Sequence, residues 1–233
     1  MAAAKPQVGA RRDAVHTNTG LASERVRVRM VERLRELGVR DDRVLAAMEE
    51  IQRHLFVDPA LASRAYEDTA LPIGFGQTIS RPYIVARTVE VLLEGVAAPK
   101  SAKVLEIGTG CGYAAAVLAK IFGSVISVER IRPLHEKARE NLRPLRLAHV
   151  RLVFADGAAG VAAQAPYDAI VAAAAGERVP PAWVEQLKPG GRIVAPFGAA
   201  EQRLTLITKD ESGRVARRAI EVVKFVPLKS GTA

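Results

Sequence analysis

Three glycines at alternate positions follow a short apolar segment near the middle of the chain, in VLEIGTGCGYAAAVLA. Lys103–Ile107 is typical of a β-strand, and the alanine-rich stretch after Gly112 is typical of a helix. Gly108, Thr109, Gly110 and Gly112 would form the turn between them. Glycine has no Cβ and adopts positive φ, so such a turn lets a ligand press against its backbone. The pattern predicts a small-molecule site at the end of this strand.

Acidic residues lie at or near the ends of three successive predicted strands. Glu106 stands just before the first glycine, where it would repel a dinucleotide phosphate but attract a sulfonium or ammonium group. Glu129 ends SVISVE and can accept both hydrogen bonds of a ribose diol. Asp156, followed by Gly157, ends VRLVFA and can accept from the exocyclic amine of adenine. The acids therefore favour S-adenosylmethionine over a nicotinamide dinucleotide as the cofactor.

A second candidate site lies upstream, in the segment GQTISRP. It places two hydroxyls, Thr78 and Ser80, between Gly76 and Pro82. Proline fits the first turn of a helix, which would put Ser80 near the N-cap with backbone N–H groups free. This arrangement suits a substrate carboxylate, although an ordinary capped helix would show the same pattern.

The elements around these motifs predict one α/β domain. A helix from Leu21 to Leu37 and a second, capped by Asp41 and running through Ile51, predict an N-terminal helical layer. Apolar strands then alternate with helices, as in a doubly wound, mostly parallel, Rossmann-like methyltransferase sheet. The predicted strands are KVLEI, SVISVE, VRLVFA, DAIVAAA and GRIVAPF, and the predicted helices lie near 112–121, 131–142 and 180–187. We expect residues 1–20 to be a disordered basic extension and residues 21–233 to form a single domain.

Charge and composition narrow the classes of function. The net charge is +9, with nine Lys/Arg against four Asp/Glu in residues 1–40 and seven against three in residues 203–233. This terminal excess fits a solvated surface or the steering of anionic ligands. Aromatic residues are only 5% of the chain, which argues against a nucleic-acid stacking surface. With one cysteine, no zinc-ligand spacing, no signal sequence and no apolar span, we expect a metal-free cytoplasmic protein away from membranes.

Several motifs together resemble the protein-L-isoaspartate O-methyltransferase family, over roughly residues 30–208. GQTIS is far more discriminating than the glycine turn, which many unrelated methyltransferases share. The resemblance implies methylation of the carboxylate of L-isoaspartyl residues in damaged proteins and peptides, at exposed flexible sites, with D-aspartyl residues as a further candidate acceptor. The motifs are, in chain order, RHLFV, GQTISRPYIVA, VLEIGTGCGY, SVERI, YDAIVAAAA and LKPGGRIVAPFG.

The resemblance also implies roles for individual residues. Ser80 would be the catalytic residue and, with Thr78, would bind the substrate. The residues implied for the cofactor S-adenosyl-L-methionine, and its product S-adenosyl-L-homocysteine, are Gln77, Thr78, Ile79, Glu106, Gly108, Thr109, Gly110, Gly112, Glu129, Asp156, Gly157 and Gln202.

Departures from the family pattern leave other functions open. Cys111 stands where a serine is common, and Ala173 and Gly176 replace a hydroxyl and a proline after YDAI. These changes bear on the shape of the acceptor pocket. The alternatives are a methyltransferase acting on another carboxylate or on nucleic acid, a nucleotide-dependent oxidoreductase, and a binding module without activity.

Overall fold

The computed structural model describes residues 24–233, so the predicted extension lies outside the described residues. Helix α1 spans Glu24–Glu36 and helix α2 spans Asp42–Glu50. The predicted cap of α2 is confirmed, because the Asp41 carboxylate accepts hydrogen bonds from the N–H groups of Arg43 and Val44. Helices α1 and α2 pack on each other and on two later helices, as the predicted helical layer requires.

A seven-stranded sheet forms the centre of the molecule, in the order β5-β4-β3-β6-β7-β8-β9. Strands β3 to β7 are mutually parallel and confirm the five predicted strands, whereas β8 and β9 are antiparallel additions that the sequence pattern did not reveal. A small hairpin, β1 with β2, stands apart from the sheet. The strands are β1 Leu71–Gly74, β2 Gln77–Ile79, β3 Lys103–Ile107, β4 Ser124–Glu129, β5 Val150–Phe154, β6 Tyr167–Ala172, β7 Leu187–Phe197, β8 Gln202–Lys209 and β9 Val215–Val223.

Helices cover both faces of the sheet, which explains why its central strands are apolar on both sides. One continuous apolar core joins α1 and α2 to α3 (Pro82–Leu93), α4 (Tyr113–Ile121) and α5 (Arg132–Leu142) on one face. A second core on the other face contains Trp183 of α6 (Pro181–Glu185). The predicted doubly wound architecture is therefore confirmed.

The direction of winding reverses in the middle of the sheet. The chain passes outward through β3, α4, β4, α5 and β5, then returns to place β6 on the other side of β3. In open α/β sheets, ligands bind beyond the carboxyl ends of the strands at such a switch point. The ends of β3 and β6 are thus the expected centre of the functional site. Within residues 24–233, no helix has both the length and the apolarity needed to cross a membrane.

Candidate functional site

The glycine turn joins β3 to α4 in the predicted place, and its backbone requires glycine. Gly108, Gly110 and Gly112 have φ values of 90°, 55° and 92°, in the left-handed region that other residues rarely adopt. A Cβ on Gly110 would also lie 3.1 Å from Cδ1 of Ile73, in the β1–β2 hairpin. The turn therefore brings the backbone of Gly110 close to the hairpin, and the left-handed φ values disfavour a side chain at all three positions.

A cavity of about 70 Å³ lies beyond the ends of β3, β4 and β6, beside this turn. Six of the twelve predicted cofactor residues line it: Gln77, Thr78, Gly108, Gly110, Glu129 and Gly157. The opposite wall, Val226–Lys229, was not predicted from the sequence. It belongs to residues 226–233, which we call the closing segment. This segment is brought to the site by tertiary structure, so no hydrophobic period or local motif in the sequence predicts its position.

Glu129 ends β4 with its carboxylate held by three backbone donors. Oε2 accepts from the N–H of Gly110 at 2.8 Å, and Oε1 accepts from those of Arg130 and Ile131 at 2.9 Å each. The side chain is 5% exposed and lines the cavity. Its orientation is thereby fixed, and a ribose hydroxyl at this position would share Oε2 with the glycine turn.

Asp156 and Gly157 lie at the end of β5, but only Gly157 lines the cavity. The Asp156 carboxylate accepts hydrogen bonds from the N–H of Ala158 at 2.8 Å and from that of Gly231, in the closing segment, at 2.7 Å. The carbonyl of Gly157 accepts a hydrogen bond from Nε1 of Trp183 at 2.9 Å. Asp156 therefore ties the closing segment to the sheet beside the cavity.

Glu106 is buried inside β3, 1% exposed, and does not line the cavity beside the glycine turn. It lines another small cavity, of about 40 Å³, that Ser80 and Thr88 also line. Burial raises the pKa of Glu106 to about 8; a hydrogen bond from Ser127 opposes this rise, and the nearby charge of Glu129 adds to it. Oε1 of Glu106 and Oγ1 of Thr88 are buried without a hydrogen-bond partner among the described residues. A pKa of about 8 favours the protonated form of Glu106 at neutral pH, a preference that the sequence did not reveal.

The pH dependence of stability is expected to report this buried acid. Between about pH 4.5 and pH 8 the folded state keeps a proton on Glu106 that the unfolded state, with its ordinary pKa of 4.5, has released. Stability should therefore fall as the pH rises from about 4.5 to about 8, by on the order of a few kcal/mol, and level off above. Urea unfolding at pH 5.5 and pH 8 would measure the fall, and Glu106→Gln should remove it. If the free energy of unfolding changed with pH in the same way for the parent and for Glu106→Gln, a protonated Glu106 would be contradicted.

A larger cleft of about 610 Å³ adjoins the cavity and contains the predicted catalytic residue. Ser80 and Thr78 lie on one wall, and Val222–Val226, which includes the exposed cation Lys224, forms the other. Within residues 24–233, the hydroxyls of Ser80 and Thr78 have no hydrogen-bond partner, so both are available to a substrate. Ala173, where the family pattern has a hydroxyl, borders both the cleft and the cavity.

The start of α3 differs in detail from the predicted arrangement around Ser80. The N-cap position is Arg81, one residue later, and its side chain caps no N–H group. Asp68 instead accepts a hydrogen bond from the Tyr83 N–H at 2.8 Å and pairs with Arg81 at 3.2 Å. The N–H of Tyr83 is therefore not free for a carboxylate, whereas the hydroxyls of Thr78 and Ser80 at the cleft are.

Four other predicted cofactor residues lie away from the cavity walls. Ile79 is in the apolar core, Gly112 caps α4, and the Thr109 hydroxyl pairs with that of Ser127 at 2.5 Å. Gln202 clamps the backbone of Phe225, accepting from its N–H at 2.6 Å and donating to its carbonyl at 3.1 Å. Phe225 lines the cleft, so Gln202 reaches the site through that residue. The roles given to these residues stay predictions.

The sheet order, the switch point and the glycine turn after β3 place the chain in the class of Rossmann-like methyltransferases. The family model for protein-L-isoaspartate(D-aspartate) O-methyltransferase matches residues 25–233. The chain belongs to this protein-L-isoaspartate(D-aspartate) O-methyltransferase family.

Individual relatives agree with this assignment. The chain is 56% identical over 216 residues to a protein-L-isoaspartate O-methyltransferase of Methylibium petroleiphilum, covering 91% of this chain and 80% of that protein. It is 55% identical over 213 residues to one of Dechloromonas aromatica, covering 91% and 97%. A Plasmodium falciparum structure, described as a candidate protein-L-isoaspartate O-methyltransferase in complex with S-adenosyl-L-homocysteine, has a TM-score of 0.76 at 24% identity, covering 86% and 97%. At that identity the structural likeness concerns the fold alone.

Proposed function

We propose that this protein repairs damaged proteins and peptides by methylating the side-chain carboxylate of L-isoaspartyl residues, with S-adenosyl-L-methionine as the methyl donor. The observation that carries the proposal is the contact between the two compartments. The cavity beside the glycine turn and the cleft that contains Ser80 share Thr78, Ala173 and Val226 as walls. A donor in the first and an acceptor in the second would meet at these residues. Family membership supports the same reaction.

The cavity beside the glycine turn fits the adenosine part of S-adenosyl-L-methionine, because Glu129 at its wall can accept hydrogen bonds from a ribose diol. Arg130 and Lys229 line the same cavity, so the choice of this cofactor rests on the family and not on the charge of the wall. When bound, the cofactor supplies a methyl group on a sulfonium. Glu129 presents a carboxylate at the wall, and Glu106 adds a second acid behind the glycine turn. A cation nearby favours the charged form of Glu106, whose pKa burial raises to about 8. We infer that cofactor binding releases a proton from Glu106, which calorimetry in buffers of different ionisation enthalpy would detect.

The acceptor needs no general base, because a carboxylate with an ordinary pKa of about 4 is ionised at neutral pH. The work of the protein is then to position the acceptor. Ser80 and Thr78 would donate hydrogen bonds to the carboxylate, and Lys224 would attract it into the cleft. Holding two reactants in a near-attack arrangement can lower the barrier by on the order of 7–11 kcal/mol. The cleft opens between Ser80 and the strand end Val222–Val226, which suits an exposed, flexible stretch of peptide main chain.

We also propose a cytoplasmic location. Cys111, the single cysteine, is 2% exposed, and burial raises the pKa of its thiol. Such a thiol is a packing group in the glycine turn and suits a reducing compartment.

Transfer of labelled methyl groups to paired peptides tests the function. The two peptides are identical except that one contains aspartate and the other isoaspartate at the same position. We expect labelling of the isoaspartyl peptide alone. Equal labelling of both would replace the repair function by a general carboxyl methylation, and labelling of neither, with S-adenosyl-L-methionine bound, would contradict methyl transfer to peptides. A third peptide with D-aspartate would settle whether this isomer is an acceptor.

A further inference from the structure

A wide groove borders the outer edge of the sheet, away from the cleft and the cavity. This β5 groove, of about 1200 Å³, lies between the second half of α5, the turn at residues 143–148 and the first half of β5. It shares no lining residue with the cavity beside the glycine turn or with the cleft at Ser80. The proposed reaction therefore leaves it unexplained.

Strand β5 has one edge free for pairing. Among the described strands it pairs with β4 alone. The residues of β5 that face β4 have odd numbers: the His149 carbonyl accepts from the Val125 N–H, and the Ala155 N–H donates to the Glu129 carbonyl. Because backbone groups alternate in direction along a strand, Leu152 and Phe154 point theirs away from β4. In the part of the chain that the structure describes, neither residue has a hydrogen-bond partner for its N–H or C=O. An added strand could pair with these four groups.

The walls of the β5 groove carry unpaired positive charge. Four exposed arginines line it, and none of them forms an ion pair with another described residue: Arg139, Arg143, Arg146 and Arg151. Two carboxylates, Glu136 and Glu140, lie among them, so cations exceed anions by two. Elsewhere on the surface many arginines do pair with carboxylates, for example Arg33 with Glu36 at 2.9 Å. Free guanidinium groups beside free backbone donors favour an extended acidic chain.

We propose that the β5 groove docks an extended acidic segment of the protein substrate, which adds a strand to the edge at Leu152 and Phe154. The identity of this partner rests on the proposed function. A second copy of this chain fits poorly, because it would bring the same arginines and a net charge of +9 to the contact. RNA fits less well than peptide, because among the described residues of β5 and the groove walls Phe154 is the single Phe, Tyr or Trp, and the Arg132 guanidinium already lies over its ring, 4.1 Å from the ring centroid.

One substrate peptide is long enough to occupy the β5 groove and the cleft at Ser80 together. Strands β4 and β3 separate β5 from β6, next to the cleft, and adjacent strands lie about 4.8 Å apart, so the gap across the sheet is roughly 15 Å. A linker of about eight extended residues reaches further than this. A substrate with an acidic stretch at that distance from its isoaspartyl site would occupy both places together and gain affinity.

Binding to the full chain tests the docking without any reaction. The probe is a fluorescent ten-residue peptide of alternating glutamate and valine, followed by anisotropy, with a lysine-and-valine peptide for comparison. We expect the acidic peptide to bind and Arg146→Glu/Arg151→Glu to weaken it about tenfold. The matched control, Arg25→Glu/Arg29→Glu on α1, makes the same change in net charge on exposed residues away from the groove and should bind as the parent does. Methylating alternate peptide nitrogens of the probe should also abolish binding, because it removes the donors that a strand needs.

Steady-state methylation then links docking to the substrate. The isoaspartyl peptide is compared with and without an acidic extension of about eight residues, and the extension should lower KM several-fold while kcat stays the same. Arg146→Glu/Arg151→Glu should remove this advantage and leave the short peptide unaffected. If neither peptide were methylated but the acidic probe still bound, the proposed function would be overturned and the docking proposal would not.

Three results would overturn the docking proposal. They are equal binding of the acidic probe by parent and Arg146→Glu/Arg151→Glu, undiminished binding of the N-methylated probe, and concentration-dependent dimerisation that the same two substitutions abolish. A ribo-oligonucleotide that binds the groove more tightly than the acidic peptide at physiological salt would assign the groove to RNA instead.

Discussion

Replacing Ser80 by alanine is expected to lower kcat for the isoaspartyl peptide about 100-fold, because misplacement of a reacting group by about 1 Å has an effect of that size. The affinity for S-adenosyl-L-methionine should change little, since Ser80 lines the cleft and not the cavity beside the glycine turn. Steady-state kinetics and calorimetry on the same preparation would measure the two effects separately. The expectation follows from the Ser80 hydroxyl, which has no partner within residues 24–233 and can donate to a substrate carboxylate.

Two further variants give this result a clear meaning. Ser80→Thr keeps a hydroxyl and should recover part of the turnover, whereas a purely structural role for Ser80 would not distinguish the two side chains in this way. Ser212→Ala, in the exposed turn between β8 and β9, removes a hydroxyl far from the cleft and should behave as the parent. If Ser80→Ala weakened cofactor binding as strongly as it lowered turnover, Ser80 would belong to the cofactor site.

Trp183→Ala is expected to destabilise the fold by about 3–5 kcal/mol, the usual cost of truncating a buried aromatic side chain. Trp183 is fully buried in the core on the second face of the sheet. Its Nε1 also donates to the carbonyl of Gly157, which lines the cavity. The loss should therefore appear both as a lower urea midpoint and as weaker cofactor binding.

A milder variant separates packing from hydrogen bonding at this position. Trp183→Phe keeps most of the apolar volume but leaves the Gly157 carbonyl without its buried donor, a change that costs about 1–3 kcal/mol. Trp183→Phe should be clearly more stable than Trp183→Ala, yet both should bind the cofactor less tightly than the parent. Equal stability of the two variants would mean that the hydrogen bond, and not the packing of the ring, dominates.

The parallel half of the sheet could be predicted closely from the sequence. Lys103–Ile107 and Ser124–Glu129 are strands over the predicted residues, because each is a short apolar run with a clear turn signal on at least one side. Strands β8 and β9 were not predicted. Strand β9 is mostly exposed and its apolar and charged residues do not alternate regularly, so its place in the sheet depends on pairing with β8 and not on its own pattern.

The site was predicted less completely, for reasons that lie in tertiary structure. The turn glycines and Glu129 lie at the ends of β3 and β4, within motifs that are continuous in sequence. Their residue types and spacing therefore predict their place in the site. The position of Val226–Lys229 beside the cavity depends on how the last strands return across the sheet, which no local pattern encodes. Neighbours on β4 and α3 likewise bury Glu106, and this burial raises the pKa of the acid.

The closing segment has a consequence for how fast the protein can exchange a bound nucleoside. Pockets that hold drug-sized ligands measure roughly 300–1,000 Å³, well above the 70 Å³ of the cavity beside the glycine turn. Leu228 donates its N–H to the carbonyl of Ala175 at 2.7 Å, and Gly231 donates its own to Asp156 at the same distance. We expect these two hydrogen bonds to open when an adenosine moiety enters or leaves the site. Each catalytic cycle would then include a swing of the chain after Phe225, and the speed of that hinge would set an upper limit on turnover.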